Sequence, residues 1–117
     1  MSIDKSLVIL FTSNGMGTSE LQELRGELTG KFLRLLKESS VLPTAICFYT
    51  DGVKLVCEGS GVLRELTDLE AQGVRLVICS TCLDAYGLSG STRVGIVGGM
   101  ADILTAMQMA DSVITVS

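Results

Sequence analysis

The sequence contains no histidine. Histidine is the side chain that titrates near neutral pH, and it is the commonest metal ligand in proteins. Its absence excludes Ser-His and Cys-His catalysis, and we predict neither a metal site nor a resident cofactor. A nucleophile in this chain therefore has to be activated without a histidine.

Tryptophan is also absent, and the aromatic residues are three phenylalanines and two tyrosines. The interior is therefore expected to be aliphatic. The mean hydropathy of +0.49 is high for a chain of 117 residues. A small chain with so many apolar residues has more apolar surface than one core can bury. This predicts a homo-oligomer, either a dimer or a trimer.

No run of basic residues occurs, and nine Lys and Arg face thirteen Asp and Glu, which gives a net charge of −4. This balance argues against binding to the phosphate backbone of a nucleic acid. The apolar run Leu7–Phe11 is too short for a membrane span or a signal core, and Met1–Lys5 has no signal-like charged region. We expect no membrane contact, a cytoplasmic location, and four cysteines that are thiols.

Short apolar segments alternate with helical patterns along the chain. Apolar strands without polar alternation are typical of a parallel sheet that is covered on both faces. We therefore predict one α/β domain over residues 1–117, with a mainly parallel sheet of five strands. The predicted strands are Leu7–Phe11, Thr44–Tyr49, Val74–Ile78, Val94–Val97 and Ser112–Val116.

Three longer helices connect these strands. The first is predicted from Ser19, which forms a capping-box pattern with Gln22, to about Lys37. Gly26 and Gly30 make a smooth strip on it where another backbone can approach. Ser60 is the expected cap of the second helix, which Gly73 ends. The residues expected to face inward are Leu21, Leu24, Leu28, Phe32 and Leu35 in the first helix, Val62, Leu63, Leu66 and Leu69 in the second, and Met100, Ile103, Leu104 and Met107 in the last.

The stretch Cys79-Ser80-Thr81-Cys82 follows the third strand directly and precedes a short helix that ends at Gly87. A cysteine at the start of a helix faces unpaired backbone N–H groups, which favour the thiolate over the thiol. We predict that Cys82 is the nucleophile, with a pKa below the ordinary value of about 8.5. Cys79 ends a buried strand and is the candidate resolving thiol.

Ligands of parallel α/β sheets bind beyond the carboxyl ends of the strands. Four loops are expected to meet there, at Ser13–Thr18, Tyr49–Lys54, Cys79–Asp84 and Gly98-Gly99. Hydroxyl groups in the cysteine turn can hydrogen-bond a sulfur anion, and Lys54 is the one cation of the predicted rim. The candidate binding residues are Asn14, Met16, Gly17, Tyr49, Lys54, Ser80, Thr81 and Asp84.

Other interpretations of these patterns stay open. The C-x-x-C pair is compatible with two ordinary buried residues or with a thioredoxin-like protein, although there the pair follows an early strand. A structural metal site would require Cys47 and Cys57 to converge on the pair. The loop Thr12–Thr18 is similar to a phosphate loop and fits a flavodoxin-like cofactor-binding module. A non-catalytic interaction subunit of the same fold is a further alternative.

Two stretches resemble the DsrE-like sulfurtransferase family. Phe48–Ser60 resembles its F-Y-x-x-G-V-K-L-x-x-E-G-S pattern, and Cys79–Leu88 resembles the C-G-T-C-L-D-x-Y-G-L pattern of the YedF-type selenium-metabolism branch. The opening loop before a long helix agrees too, so the resemblance spans almost the whole chain. Ser80 stands where glycine is usual. Fuller members also carry a TusA-type domain with a C-P-x-P motif, which is not present in this sequence.

The resemblance implies a three-layer α/β sandwich, subunit association, and a cysteine that carries sulfur, or selenium, as a persulfide. Its position in the pattern assigns this role to Cys82. Sulfur-donor and sulfur-acceptor proteins are the partners that the resemblance implies. The predicted function is therefore sulfur relay by a persulfide carrier, that is, a sulfurtransferase.

Overall fold

The structure, a computed structural model, describes residues 6–117. Met1–Lys5, where the sequence predicts no export signal, lies outside the described residues. Within residues 6–117 five strands form one parallel sheet, which confirms the predicted fold class. The strands are β1 Leu7–Phe11, β2 Ala45–Phe48, β3 Arg75–Cys79, β4 Ile96–Gly98 and β5 Ser112–Val116, in the spatial order β4-β3-β2-β1-β5.

Helices cover both faces of this sheet. They are α1 Gln22–Glu38, α2 Leu63–Ala71, α3 Ser80–Ala85 and α4 Met100–Met109, with a 3₁₀ helix Thr50–Val56 between β2 and α2. The helix α1 contacts α2, and α3 contacts the 3₁₀ helix. The connection from β4 to β5 through α4 runs across the sheet in the direction opposite to the other connections. Right-handed connections that run in opposite directions place their helices on opposite faces of the sheet. The result is three layers.

The core lies around the central strands β1, β2 and β3. Their side chains are almost all buried, because helices cover them on both faces. The ring of Phe11 stacks on Phe48 with centroids 5.7 Å apart and meets Phe32 of α1 edge-on at 6.0 Å. The edge strands differ, since Ile96 of β4 and Ile114 of β5 are exposed.

The predicted inward face of α1 is wrong. The side of α1 that is buried carries Thr29, Gly30 and Leu33. The exposed side carries most of the predicted stripe, whereas Phe32 is half-buried. Helical spacing finds apolar stripes, but α1 has two of them, and packing against the sheet and α2 selects between them. The exposed members of the predicted stripe are Leu21, Leu24, Leu28 and Leu35.

The starts of α1 and α2 also differ from the prediction. Leu21 is the N-cap of α1, and the Ser19 hydroxyl accepts the Leu21 amide instead of forming a capping box. Ser60 likewise accepts the amide of Val62, the N-cap of α2. In both places the serine organises the loop before the helix, because a hydroxyl can hydrogen-bond the amide two residues on and form a turn.

The inward residues of α2 and α4 match the prediction unevenly. In α2 the side chains of Leu66 and Leu69 are fully buried, as predicted. In α4 only Ile103 of the four predicted residues is fully buried, while Met100 and Leu104 are exposed. The reason is that α4 lies alone on its face of the sheet and has one packed side. No helix within residues 6–117 has the length and apolar character needed to cross a membrane.

Candidate functional site

Cys82 lies in the first turn of α3, beyond the carboxyl end of β3. The strand ends at Cys79, which is itself the N-cap of α3, so no loop separates the two elements. All four cysteines are free thiols, and Cys47, Cys57 and Cys79 are buried while Cys82 is partly exposed. A partner can therefore reach the sulfur of Cys82 without unfolding the chain.

A backbone amide from the neighbouring strand end contacts this sulfur. The N–H of Thr50 donates a hydrogen bond to the Sγ atom of Cys82, with 3.1 Å between nitrogen and sulfur. Thr50 is the first residue of the 3₁₀ helix that follows β2. The carboxyl ends of β2 and β3, which are neighbours in the sheet, thus meet at the sulfur. Sequence reasoning missed Thr50, because no residue pattern marks a backbone donor.

The prediction of a lowered pKa for Cys82 is wrong. Burial raises the pKa of Cys82 above its ordinary value; the Thr50 amide lowers it by a smaller amount, and the neighbouring Cys79 thiol raises it further. Removal from water disfavours the thiolate, and α3 has only six residues, so its dipole is short. The amide of Thr50 therefore reduces the cost of the anion without cancelling it.

A polar cluster of Asp51, Lys54 and Tyr86 lies beside Cys82. Tyr86 follows Cys82 by one helical turn and lies on the same side of α3. The Lys54 Nζ atom is 4.6 Å from the centre of the Tyr86 ring and 3.0 Å from Oδ1 of Asp51. The Tyr86 hydroxyl and the Lys54 ammonium lower the pKa of Asp51, and the Asp51 carboxylate raises the pKa of Tyr86. We call these three residues the Tyr86 cluster; it ties the 3₁₀ helix to α3.

Two of the predicted binding residues, Tyr49 and Lys54, belong to this site. The carbonyl of Tyr49 is 2.7 Å from the Thr50 hydroxyl, and Lys54 belongs to the Tyr86 cluster. The opening loop reaches the site through Thr12, whose carbonyl accepts the Thr50 hydroxyl at 2.6 Å. Asp51 and Tyr86 were missed by sequence reasoning, although the four-residue step from Cys82 to Tyr86 was a usable signal.

The other predicted residues of the cysteine turn contribute less. Ser80 and Thr81 share the first turn of α3 with Cys82, yet among residues 6–117 neither hydroxyl hydrogen-bonds its sulfur. Asp84 accepts a hydrogen bond from the hydroxyl of Ser89, so it anchors the turn that follows α3.

Asn14, Met16 and Gly17 organise the opening loop and have no contact with Cys82 among the hydrogen bonds of the described chain. The amide of Met16 donates to the carbonyl of Arg25 at 3.3 Å, and that of Gly17 donates to the carbonyl of Ser117 at 2.9 Å. These two N–H groups are therefore already used inside the chain. A phosphate loop needs free N–H groups, so this geometry disfavours a flavodoxin-like phosphate site.

The strip formed by Gly26 and Gly30 lines a groove of about 560 Å³. The groove also touches Asn14 and Lys54, and so extends toward the Tyr86 cluster. The space beside Gly26 is open in the described chain. Within residues 6–117 no group of three or more Cys, Asp or Glu side chains is arranged to hold a metal ion.

The sequence also matches a known protein family. Residues 5–116 match the DsrE/DsrF-like family. The chain belongs to this family. No match was found among curated proteins. The predicted YedF-type branch is finer than this match and stays a prediction.

Solved structures share the fold at low sequence identity. The ychN protein from E. coli is 24% identical, with a TM-score of 0.70 and coverage of 95% of this chain and 98% of that one. MTH1491 from Methanobacterium thermoautotrophicum, a protein of unknown function, is 21% identical at a TM-score of 0.70, with 96% and 99% coverage. BT1422 from Bacteroides thetaiotaomicron, likewise of unknown function, is 20% identical at a TM-score of 0.62, with 97% and 95% coverage. These similarities support the fold alone.

Proposed function

We propose that this protein is a sulfur relay protein that carries a terminal sulfur as a persulfide on Cys82. The observation that carries the proposal is that one cysteine is both partly exposed to solvent and contacted by a backbone hydrogen-bond donor. Cys82 is the partly exposed cysteine, and the Thr50 nitrogen lies 3.1 Å from its Sγ atom. A thiolate or persulfide anion is stabilised by such an N–H group, and the chain supplies it without a histidine.

The transfer of sulfur through Cys82 needs no redox partner. The Cys82 thiolate attacks the outer sulfur of a donor persulfide, the S–S bond of the donor breaks, and its electron pair leaves with the donor thiolate. An acceptor thiolate later attacks the outer sulfur now held by Cys82, which leaves as a thiolate. One sulfur atom moves in each step, and the total count of electrons is unchanged. Selenium in place of the transferred sulfur follows the same sequence of steps.

Cys79 has a separate role in this proposal. Its thiol lies next to that of Cys82, but its side chain is only 1% exposed. A partner protein cannot reach it, so it acts only within the chain. We propose that its thiolate attacks the inner sulfur of the Cys82 persulfide: the persulfide S–S bond breaks, the outer sulfur leaves as HS⁻, and the resulting Cys79–Cys82 disulfide is reduced by an external thiol. The reduced thiols that this cycle requires fit a cytoplasmic location.

Mass spectrometry after incubation with a cysteine desulfurase and cysteine tests the relay. We expect one added sulfur on Cys82 in the wild-type protein, none in Cys82→Ser, and retained loading in Cys79→Ser. Loading that survives in Cys82→Ser but is lost in Cys79→Ser would reverse the assignment. No adduct in any variant, together with tight binding of flavin mononucleotide, would favour the flavodoxin-like alternative. No adduct and no flavin binding would leave the non-catalytic interaction subunit.

We also propose that the protein forms a homo-oligomer and that its sulfur donors and acceptors are proteins. An exposed leucine stripe on α1 supports self-association, since Leu24 and Leu28 are 41% and 42% exposed and Leu21 and Leu35 more so. Exposed leucines at this spacing form a continuous apolar strip along one side of a helix. Covering such a strip stabilises association.

Sedimentation equilibrium at micromolar concentration tests self-association. We expect a dimer or trimer for the wild-type protein and a monomer for the double variant Leu24→Lys, Leu28→Lys. Glu27→Gln is the control, because it also makes the exposed surface of α1 more positive but leaves the leucines in place. A monomeric wild-type protein would refute the association proposal without affecting the relay.

A further inference from the structure

Thr50 adopts a backbone conformation that its own side chain disfavours. Its φ is +49°, and the other described residues with positive φ are glycines. A β-branched residue is rarely found in this left-handed region, because its side chain crowds the backbone. Such outliers persist where surrounding contacts hold them, and they occur often at functional sites. Thr50 is also the residue whose amide contacts Cys82.

The contacts that hold Thr50 come from the end of β1, from the residue that follows it, and from its own turn. The Thr50 hydroxyl lies 2.6 Å from the Thr12 carbonyl oxygen and 2.7 Å from that of Tyr49, so its one proton faces both acceptors. The amide of the preceding Tyr49 donates to the carbonyl of Phe11 at 3.1 Å. Gly52 brings the turn closest to β1, where an added Cβ would lie 2.0 Å from the Phe11 oxygen. The turn is thus anchored on both sides of the strained residue.

This anchoring decides where the amide points. The φ angle is the rotation between the peptide plane that carries the Thr50 N–H and the rest of the residue. With the side chain tethered to Thr12 and Gly52 packed against β1, the rest of the residue is held in place. A change of φ from +49° to an ordinary helical value near −60° would therefore swing the N–H by roughly 110°. The N–H would then no longer face Cys82.

We propose that Thr50 positions the anion-binding amide of the site: its hydroxyl tether to Thr12 holds a strained backbone that aims the N–H at the Cys82 sulfur. The inference rests on the proposed relay, in which that sulfur becomes a thiolate and then a persulfide. It assigns to a threonine side chain a role that is exerted through its own backbone. It also explains why an unfavourable φ is kept at a residue whose side chain lies on the surface.

The first test uses the wild-type protein. The ¹H and ¹⁵N chemical shifts of the Thr50 amide are followed by NMR as the pH is raised through the ionisation of Cys82. We expect both shifts to titrate with the midpoint at which Cys82 becomes reactive to iodoacetamide, and to stay flat in Cys82→Ser. A Thr50 amide that does not respond to the ionisation of Cys82 overturns the proposal.

The second test compares Thr50→Ser, Thr50→Ala and Thr50→Gly by the rate of Cys82 alkylation at one pH below its pKa. Serine keeps the hydroxyl tether, so we expect a rate within about twofold of wild type. Alanine lacks the tether and leaves the left-handed region. We expect its rate to fall about tenfold, which corresponds to one pKa unit or about 1.4 kcal/mol. Glycine adopts positive φ freely but is not tethered, so we expect an intermediate rate.

An alanine variant that alkylates at the wild-type rate, or a serine variant as slow as alanine, overturns the proposal. If the alanine variant does not fold, the glycine variant decides: a rate below that of serine supports the tether, and an equal rate overturns it. Sulfur loading is measured on the same proteins. If no variant loads sulfur but the order of alkylation rates holds, the relay fails and the role of Thr50 stands. If sulfur loads normally but the alkylation rates show no such order, the relay stands and the role of Thr50 fails.

Discussion

Cys47 and Cys82 show two environments for the same side chain in neighbouring parts of one sheet. Cys47 lies inside β2 and is fully buried, whereas Cys82 lies just beyond β3 and is partly exposed. Burial raises the pKa of both thiols, that of Cys47 to about 11. Within the described chain, Cys82 is the one whose sulfur accepts a backbone N–H. The difference shows that access and one donor, and not a low pKa, distinguish the candidate carrier.

Alkylation should separate the two cysteines most strongly. At pH 8 a thiol with a pKa of about 11 is ionised to only about one part in a thousand, and the fully buried Cys47 is also shielded from reagent. We expect iodoacetamide to label Cys82 at least about a hundredfold faster than Cys47, as measured by peptide mass spectrometry. Equal labelling of the two in the folded protein would remove the distinction.

Serine substitutions should separate the same pair by stability. Cys47→Ser places a hydroxyl in an apolar interior, and we expect it to lower the free energy of unfolding by about 1–3 kcal/mol. Cys82→Ser keeps a partly exposed position and should change it by about 0.5 kcal/mol or less. Urea unfolding followed by circular dichroism measures both. Cys47→Ala is the control, since it removes the thiol without adding a polar group.

The pH dependence of Cys82 alkylation tests the sign of its pKa shift. Because burial raises this pKa, the folded protein has less thiolate than a free thiol at the same pH. We expect the rate at pH 7 to be below that of an unstructured cysteine peptide. The rate should rise with pH and reach half its maximum above about 8.5. A midpoint below that value would restore the sequence-based prediction of an activated thiolate.

The smallest expected effect concerns the Tyr86 cluster. Tyr86→Phe removes the hydroxyl that, with Lys54, lowers the pKa of Asp51. We expect the pKa of Asp51 to rise toward its ordinary value, as measured by NMR titration. Because the pKa of Asp51 is lowered on folding, its carboxylate stabilises the fold at any pH above its pKa in the unfolded chain. This stabilisation is lost as the pH falls through the pKa of Asp51 in the folded protein. Tyr86→Phe should therefore weaken the acid-side loss of stability. Asp51→Asn is the control, since it should abolish the share of that loss that Asp51 contributes, while the share of Asp68, whose pKa Lys37 lowers, remains.

Much of the architecture followed from the sequence. Continuous apolar runs are what strands covered on both faces require, and two of the predicted strands, Leu7–Phe11 and Ser112–Val116, match the structure at both ends. The cysteine turn was found because a strand ended directly in a C-x-x-C pair. The start of the short helix was not, since the prediction placed this helix after the Cys79–Cys82 stretch and the structure begins it at Ser80, so that Cys82 lies inside it.

The sequence alone determined the parallel α/β sheet and the position of Cys82 at its edge, because both depend on short-range patterns of apolar residues and on chain order. The tertiary structure decided which side of α1 is buried, since two apolar stripes compete for the same sheet. It also brought the Thr50 amide to a sulfur 32 positions later in the chain. Burial and a backbone donor from another strand set the pKa of a thiol, and both exist only once the strands are side by side.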